Sequence, residues 1–314
     1  MSVPMKLGTR GSALALAQAE TVCMQVAGLL PGQGAVLEVF KTSGDRFSIE
    51  SPDAPTGPKE TQGLFTKELD EALLAGKVGA CIHSLKDMPT VLTHGVCLAA
   101  VLKREDVRDA LVSVKGVEFR DLPSGARVGT SSPRRTALIR NVRPDLSVVP
   151  LRGNLDTRLK KLREGQYDAV VVAMAGLKRL GRGSEANSFL EPPDFLPSPS
   201  QGALGLTVRV SDHELIAILK TLDDPETRIC VEAERAFLRE LQGGCSVPVG
   251  AHAFLVDGRL VVRGVVAELD GTNAVRSSVE GPPEEAVKLG VRLAEWCLAN
   301  GAQQILMDIR GSRP

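Results

Sequence analysis

Short apolar runs alternate with longer segments of helical period along the first two hundred residues, and the alternation occurs twice. Leu7-Gly8-Thr9-Arg10-Gly11-Ser12 reads as a strand and a Gly-Thr turn, followed by the Ala/Leu-rich run Ala13 to Leu30. Val128-Gly129-Thr130-Ser131-Ser132-Pro133 repeats the pattern ahead of Arg134 to Val142. In each copy a serine precedes the helical run as a natural N-cap. Pro133 suits the first helical position, where its missing N–H costs nothing. Val36 to Thr42 and Leu146 to Leu151 predict second strands, each ending in a basic residue near a glycine: Lys41 with Gly44, Arg152 with Gly153. Helices follow over Leu64 to Ala75 and Asn154 to Glu164, closed by Gly76 and Gly165. Third strands, Ala80 to Ser84 and Ala169 to Ala173, are continuous apolar runs, as in a parallel sheet covered on both faces.

Two β-α-β-α-β lobes result. Parallel sheets of this kind receive ligands beyond the carboxyl ends of their strands. The loops there hold Thr9–Ser12, Ser84–Asp87, Thr130–Arg135 and Arg152–Asn154, and are expected to converge on a cleft between the lobes. Helix N-termini with Ser/Thr hydroxyls bind anions, and arginines add bidentate carboxylate recognition. Taken singly, each arginine also fits a surface ion pair worth about 0–1 kcal/mol.

Pro192 to Gly202 is rich in Pro and Ser and predicts a crossing segment. Gln201-Gly202-Ala203 leads into an apolar strand, Leu204 to Val210, that returns to one of the lobes. A smaller α+β unit then begins. It comprises a helix over Thr227 to Leu241, strands Val249 to Val256 and Leu260 to Glu268 joined by an Asp257-Gly258 turn, and a last helix from Pro283 to Asn300 closed by Gly301. The expected domains are residues 1–102 with 203–222, residues 103–202, and residues 223–314.

Composition sharpens this picture. The 314 residues are 43 % hydrophobic and 24 % charged, which suits folded cores. The longest apolar stretch, Ala169 to Leu177, is too short to span a membrane, and Lys6 and Arg10 interrupt any signal-like run. These features predict a cytoplasmic protein. The net charge is zero, yet Lys103 to Arg182 holds 13 Arg and 5 Lys against 9 Asp or Glu, an excess of nine. A basic middle in a neutral chain suggests an anionic ligand. The ten aromatic residues offer few stacking platforms, and no groove-reading motif appears, which argues against nucleic acid. The six cysteines show no zinc-like or redox spacing and the four histidines do not cluster with them, so no metal is expected.

Two segments could carry chemistry. In His83-Ser84-Leu85-Lys86-Asp87-Met88-Pro89, polar side chains follow a buried strand and stop at a proline. Asp87 beside Lys86 could stabilise a developing cation, or could cap a turn. In Gly243-Gly244-Cys245-Ser246-Val247-Pro248, a cysteine follows two glycines past a helix end. Its thiolate could attack a carbon electrophile, or the residue could be an inert loop cysteine.

Eight motifs in sequence order resemble the porphobilinogen deaminase family: Gly8 to Ser12, Gly63-Leu64-Phe65, His83 to Pro89, Gly129 to Arg135, Leu151 to Asn154, Ala175 to Leu180, Gln201-Gly202-Ala203 and Gly243-Gly244-Cys245. The resemblance implies an α/β fold: two periplasmic-binding-protein-like lobes with a cleft between them, plus a small C-terminal α+β domain. It implies that four porphobilinogen molecules condense head to tail, each losing ammonia, to give hydroxymethylbilane in tetrapyrrole (haem) biosynthesis. The chain would grow on a dipyrromethane cofactor held by a thioether to Cys245. Asp87 matches the family's catalytic aspartate, placed to stabilise the cationic azafulvene left when ammonia departs. Ser84, Lys86, Thr130, Ser132, Arg134 and Arg135 match cofactor-binding positions. Arg10, Ser12, Phe65, Arg152, Asn154, Arg158, Arg179 and Gln201 match substrate-binding ones. The implied enzyme is a monomer that uses no metal, nucleic acid or membrane. One departure stands out: the family commonly carries Lys just before Gly-Leu-Phe, where this chain has Gln62, with Lys59 three residues earlier. The segment Gly57 to Gln62 is expected to be mobile, like a lid.

Two other readings compete. A non-enzymatic bilobal binder of small anions would use the lobes but leaves the third domain and Cys245 unexplained. Nucleic-acid binding through the basic middle would show strong salt dependence.

Overall fold

The computed structural model describes residues 3–43, 65–242 and 247–311. They fall into two compact units, one holding 3–43, 65–105 and 202–228, the other 106–201 and 229–311.

The first unit is built on a five-stranded sheet of β1 (Met5–Arg10), β2 (Ala35–Phe40), β3 (Ala80–Ser84), β4 (Val96–Val101) and β10 (Leu204–Arg209), in the order β2-β1-β3-β10-β4. Helices α1 (Ala13–Leu29) and α2 (Lys67–Leu74) connect the parallel strands. The helix expected from Leu64 begins at Lys67, because Phe65 and Thr66 form a turn before it, and Gly76 closes it at φ +70° as expected. Leu7, Val22, Val26, Ile82, Leu204 and Leu206 form the core between α1 and the sheet.

In the second unit, β5 (Asp109–Ser113), β6 (Arg127–Gly129), β7 (Ser147–Val149), β8 (Ala169–Ala173) and β9 (Ser188–Leu190) take the order β7-β6-β8-β5-β9. Helices α3 (Pro133–Val142), α4 (Leu155–Arg163) and α5 (Met174–Arg179) accompany them. The two sheets share one topology, as the internal repeat predicts. Gly8 and Gly129 occupy equivalent places for one physical reason. An added Cβ would stand 2.9 Å from the Cys81 sulfur in one lobe and 2.8 Å from the Tyr167 ring in the other. Only glycine lets those neighbours pack so closely.

The sheets differ from the all-parallel expectation in one respect. β10 runs antiparallel to β3 and β4, and β5 runs antiparallel to β8 and β9. Each reversed strand is the one that follows a unit boundary along the chain. A strand arriving without a crossover helix is free to run the opposite way.

The C-terminal part adds a three-stranded antiparallel sheet of β11 (Val249–Val256), β12 (Arg259–Ala267) and β13 (Ala274–Gly281). Helix α6 (His213–Leu219) belongs to the first unit, its Leu215 and Leu219 joining that unit's core. Helix α7 (Pro225–Glu240) precedes the three-stranded sheet, and α8 (Ala286–Cys297) and α9 (Gln303–Gly311) follow it. Asp257 and Gly258 both adopt positive φ in the predicted hairpin turn. Gly301 breaks the last helix at φ +111°, but the chain resumes a helical course in α9. On one face of the sheet, Val249, Ala251, Ala253, Leu260 and Val262 pack with Phe237 of α7 and Leu293 of α8. From β12, Val265 and Ala267 join the core of the arginine-rich lobe beside Leu138 and Leu196.

Candidate active site

In the first unit the site residues stand where β1 and β3 end. Ser12 caps α1, its hydroxyl accepting from Ala15 N at 3.3 Å. A hydroxyl used in this way keeps its own proton to donate. Past β3 the chain makes one tight turn, Leu85–Asp87. Leu85 and Met88 are buried and anchor the turn, and the Leu85 N–H donates to the Ala203 carbonyl at 3.0 Å. Ser84, Lys86 and Asp87 are left half-buried.

Arg10 links two of the predicted residues. Its guanidinium carbon lies 4.1 Å from the centroid of the Phe65 ring, and its Nη1 lies 3.9 Å from Oδ2 of Asp87. The second distance is an ion-pair contact, too long for a hydrogen bond. With 34 % of its side chain exposed, Asp87 is near a cation yet still open to another partner. His83, one residue before Ser84, is buried, with Nε2 3.0 Å from the Thr207 hydroxyl on β10. Burial, aided by the nearby Arg10 charge, pushes its pKa down to about 4. The imidazole is therefore neutral around pH 7 and serves as a hydrogen-bonding member of the sheet.

The second unit is organised around an acid that sequence reasoning missed. Asp109 opens β5 and is fully buried. Its Oδ1 lies 2.7 Å from Nη2 of Arg135 and its Oδ2 lies 2.7 Å from Nη1 of Arg134. Burial raises its pKa, but the two guanidinium groups outweigh burial and hold the carboxyl well below the usual range. Arg135 Nη2 donates to Oδ1, whereas Arg134 meets Oδ2 as an ion pair without hydrogen-bond geometry. Arg134 donates to the Leu196 carbonyl and Arg135 to that of Val171, each at 2.9 Å. Both arginines are buried, and the Nε atom of each has no hydrogen-bond partner among the described residues. A lone Asp ahead of Ala-Leu-Val was the available signal, because a carboxylate at the head of a buried strand needs a cation.

Gln201 sits behind this group rather than on a surface. Its amide Nε2 donates to the Val107 carbonyl at 2.7 Å and to Asp109 Oδ1 at 3.0 Å, and the side chain is fully buried. Thr130 is buried, and its hydroxyl accepts from the Ser132 N–H at 3.2 Å. Ser132 caps α3 through the Arg135 N–H, and Asn154 caps α4 through the Thr157 N–H. Arg152 is exposed beside Gly153, whose φ of +114° makes the turn into α4. Arg158 donates from Nε to the Gly153 carbonyl at 2.8 Å. Arg179 ends α5 half-buried. Much of the basic excess is spent internally: Arg108 on Asp106 and Glu191, Arg143 on Asp145, Arg182 on Asp156 and Glu185.

The structure thus groups Arg10, Phe65 and Asp87 in one unit, and Arg134, Arg135 and Gln201 around Asp109 in the other. Cys245 and the segment 57–62 with Lys59 and Gln62 lie outside the described residues. Among the described cysteines, Cys81 shows why most carry no chemistry. It is buried, donates weakly to the Leu69 carbonyl, and burial pushes its thiol up to about 12.

Residues 5–217 match the family model described as "Porphobilinogen deaminase, dipyromethane cofactor binding domain", and residues 228–299 match "Porphobilinogen deaminase, C-terminal domain". The porphobilinogen deaminase of Syntrophobacter fumaroxidans is 47 % identical over 305 residues, covering 97 % of each chain. That of Syntrophus aciditrophicus is 46 % identical over 310 residues, covering 99 % of this chain and 100 % of its own. Among solved structures, an arginine-specific periplasmic binding protein of Salmonella typhimurium is 16 % identical, with a TM-score of 0.40 over 72 % of this chain and 94 % of its own. That last likeness is loose, and the two family models and the sequence relatives are what define the kinship.

Proposed function

The chain belongs to the porphobilinogen deaminase family, and from that premise we propose how its residues divide the reaction. The enzyme is a transferase that carries a dipyrromethane cofactor. It condenses four porphobilinogen molecules head to tail, releasing ammonia each time, to hydroxymethylbilane.

The cofactor's chemistry fits the second unit. Each of its pyrroles bears carboxylates, and Arg134 with Arg135 places two buried cations against the one carboxylate of Asp109. A surplus positive charge inside a protein calls for an anion, and that surplus is the observation that carries the reading. When bound through a thioether to Cys245, the dipyrromethane supplies the pyrrole carbon on which the chain starts. Arg134 and Arg135 grip its carboxylates, with hydroxyl support from Thr130 and Ser132 and further contacts from Ser84 and Lys86. Arg10, Ser12, Phe65, Arg152, Asn154, Arg158 and Arg179 take the acetate and propionate groups of incoming porphobilinogen. Asp87 accepts the pyrrole N–H of the reacting unit, and its negative charge stabilises the cation left as ammonia departs. Arg10, near Asp87 but not hydrogen-bonded to it, keeps the carboxylate oriented without occupying it.

No helix among the described residues is long and apolar enough to cross a membrane. We place the enzyme in the cytoplasm as a monomer acting on its small substrate alone. The test of the covalent assignment is intact mass. The purified protein should exceed its sequence mass by two linked pyrrole units, and Cys245→Ala should remove the increment. A bare-sequence mass in protein that still consumes porphobilinogen would overturn it.

A further inference from the structure

Gln201 and Asp109 point to a role the family match does not give them. Gln201 matches a substrate-binding position, yet its side chain is fully buried and its amide nitrogen faces inward. Three acceptors surround that nitrogen: the Val107 carbonyl at 2.7 Å, Asp109 Oδ1 at 3.0 Å and the Arg108 carbonyl at 3.3 Å. Asp109 divides its two oxygens between Arg135 and Arg134, one each, at 2.7 Å. The order is therefore Gln201, then Asp109, then the two guanidinium groups.

The segment bearing Gln201 is itself held from behind. Ser200 adopts φ +65°, an uncommon conformation for a residue with a side chain. Its N–H donates to Oε2 of Glu234 on α7 at 2.6 Å, and the other oxygen of Glu234 accepts from the Ala253 N–H on β11 at 2.7 Å. The Gln201 N–H donates to the Ser198 carbonyl at 2.9 Å. Glu234 is fully buried. A buried carboxylate that receives these two backbone N–H groups ties the Ser200 segment to β11.

We propose that Gln201 and Asp109 are positioning residues, a buried layer that fixes the direction in which Arg134 and Arg135 present their positive charge to an anionic ligand. The physical reason is charge balance with shape. One carboxylate cannot neutralise two arginines, so it orients both while leaving a net positive charge for the ligand. If Asp109 rotated to pair bidentately with one arginine, the other would be left unpaired and the grip would be lost. The Gln201 amide, anchored on the Val107 carbonyl and bonded to Oδ1 of Asp109, blocks that rotation. Gln201 thus sets the geometry of cofactor capture without touching substrate. The inference rests on Arg134 and Arg135 holding the cofactor carboxylates.

The experiment compares Gln201→Leu with wild type. Leucine keeps the buried volume and removes the donor to Asp109. Three quantities are read: the fraction of purified chains carrying the two-pyrrole mass, the KM for porphobilinogen of the loaded chains, and the thermal midpoint of Gln201→Leu placed in a Cys245→Ala background. We expect loading to fall about tenfold, the worth of one hydrogen bond to a charged group. Loaded chains should keep a KM within about twofold of wild type. The midpoint in the Cys245→Ala background should stay close to that of Cys245→Ala alone. Full loading with a raised KM would make Gln201 a substrate contact and overturn the proposal. Loss of loading together with a collapsed midpoint would make it a folding residue and overturn it equally. Asp109→Asn provides a second arm, expected to lose more loading than Gln201→Leu; normal loading there would also refute the proposal. Wild-type protein without the mass increment would instead refute the reading of the arginines as cofactor grips, which keeps the two failures apart.

Discussion

The two α/β lobes share a sheet order, capped helices and a Gly-Thr turn, yet they use the same strand ends differently. In the first, Arg10 and Asp87 stand 3.9 Å apart with 21 % and 34 % of their side chains exposed. In the second, Arg134, Arg135 and Asp109 are locked at 2.7 Å and almost wholly buried. A loose, half-wet carboxylate suits a group that must serve a charge appearing and disappearing in each cycle. A buried cluster with surplus positive charge suits a permanent grip. On the proposed function, one architecture serves a reacting end and a holding end, and the two differ in burial rather than in residue type.

That contrast is breakable. The largest effect is expected from Arg135→Ala. It strips Asp109 of its hydrogen-bonded guanidinium in the interior and should cost about 3–5 kcal/mol. Arg10→Ala, acting on a half-buried pair 3.9 Å apart, should cost about 1 kcal/mol. Urea unfolding of both variants decides the matter, and equal losses would erase the distinction between the lobes.

Acid should probe the same contrast less severely. The Asp109 carboxyl is held below its unfolded value, so its stabilising contribution is complete above about pH 4 and is lost as pH falls further. His83 acts in a neighbouring window. Its folded value of about 4 lies below the unfolded value of about 6.5, so folding favours the neutral ring, and stability declines as pH drops between those limits. Thermal midpoints followed from pH 7 to pH 3 should fall in both windows. The ring resonances of His83 should show no titration near pH 6.5; a normal midpoint there would mean the imidazole is not buried against Thr207.

An effect well below that of Arg135→Ala is expected from Thr207→Val, which removes the hydroxyl facing His83 Nε2. It should cost about 1 kcal/mol in stability and leave the primer mass in place. Loss of the primer would show that the His83–Thr207 pair reaches further than its own sheet.

Much of the architecture was legible because it was repeated. Two copies of a strand, a Gly-Thr turn and a Ser-capped helix predicted the β1–α1 and β6–α3 units, and the caps at Ser12 and Ser132 are as the side chains required. The reversed strands were not legible, since an apolar run such as Leu204 to Arg209 carries no mark of its direction. β13 was missed because Arg276, Ser277, Ser278 and Glu280 dilute its alternation to two buried or half-buried valines. In the site, motif spacing pointed to Asp87 and to the arginines. It could not show that Arg134 and Arg135 share one buried acid, because Asp109 is 25 residues from Arg134 in the chain and meets it only through the β5–β8 pairing that builds the sheet. Nor could spacing show that Gln201 faces inward, which depends on the turn at Ser200.

The division between a holding end and a reacting end meets its most direct test in Asp87→Ala, with intact mass and turnover measured on one preparation. The variant should carry the two-pyrrole mass in full while turnover falls by about 10²–10³ or more, the scale of losing one charge-stabilising group. Turnover within a few-fold of wild type, or a variant that carries no primer, would contradict the assignment of catalysis to Asp87 and of holding to the arginines.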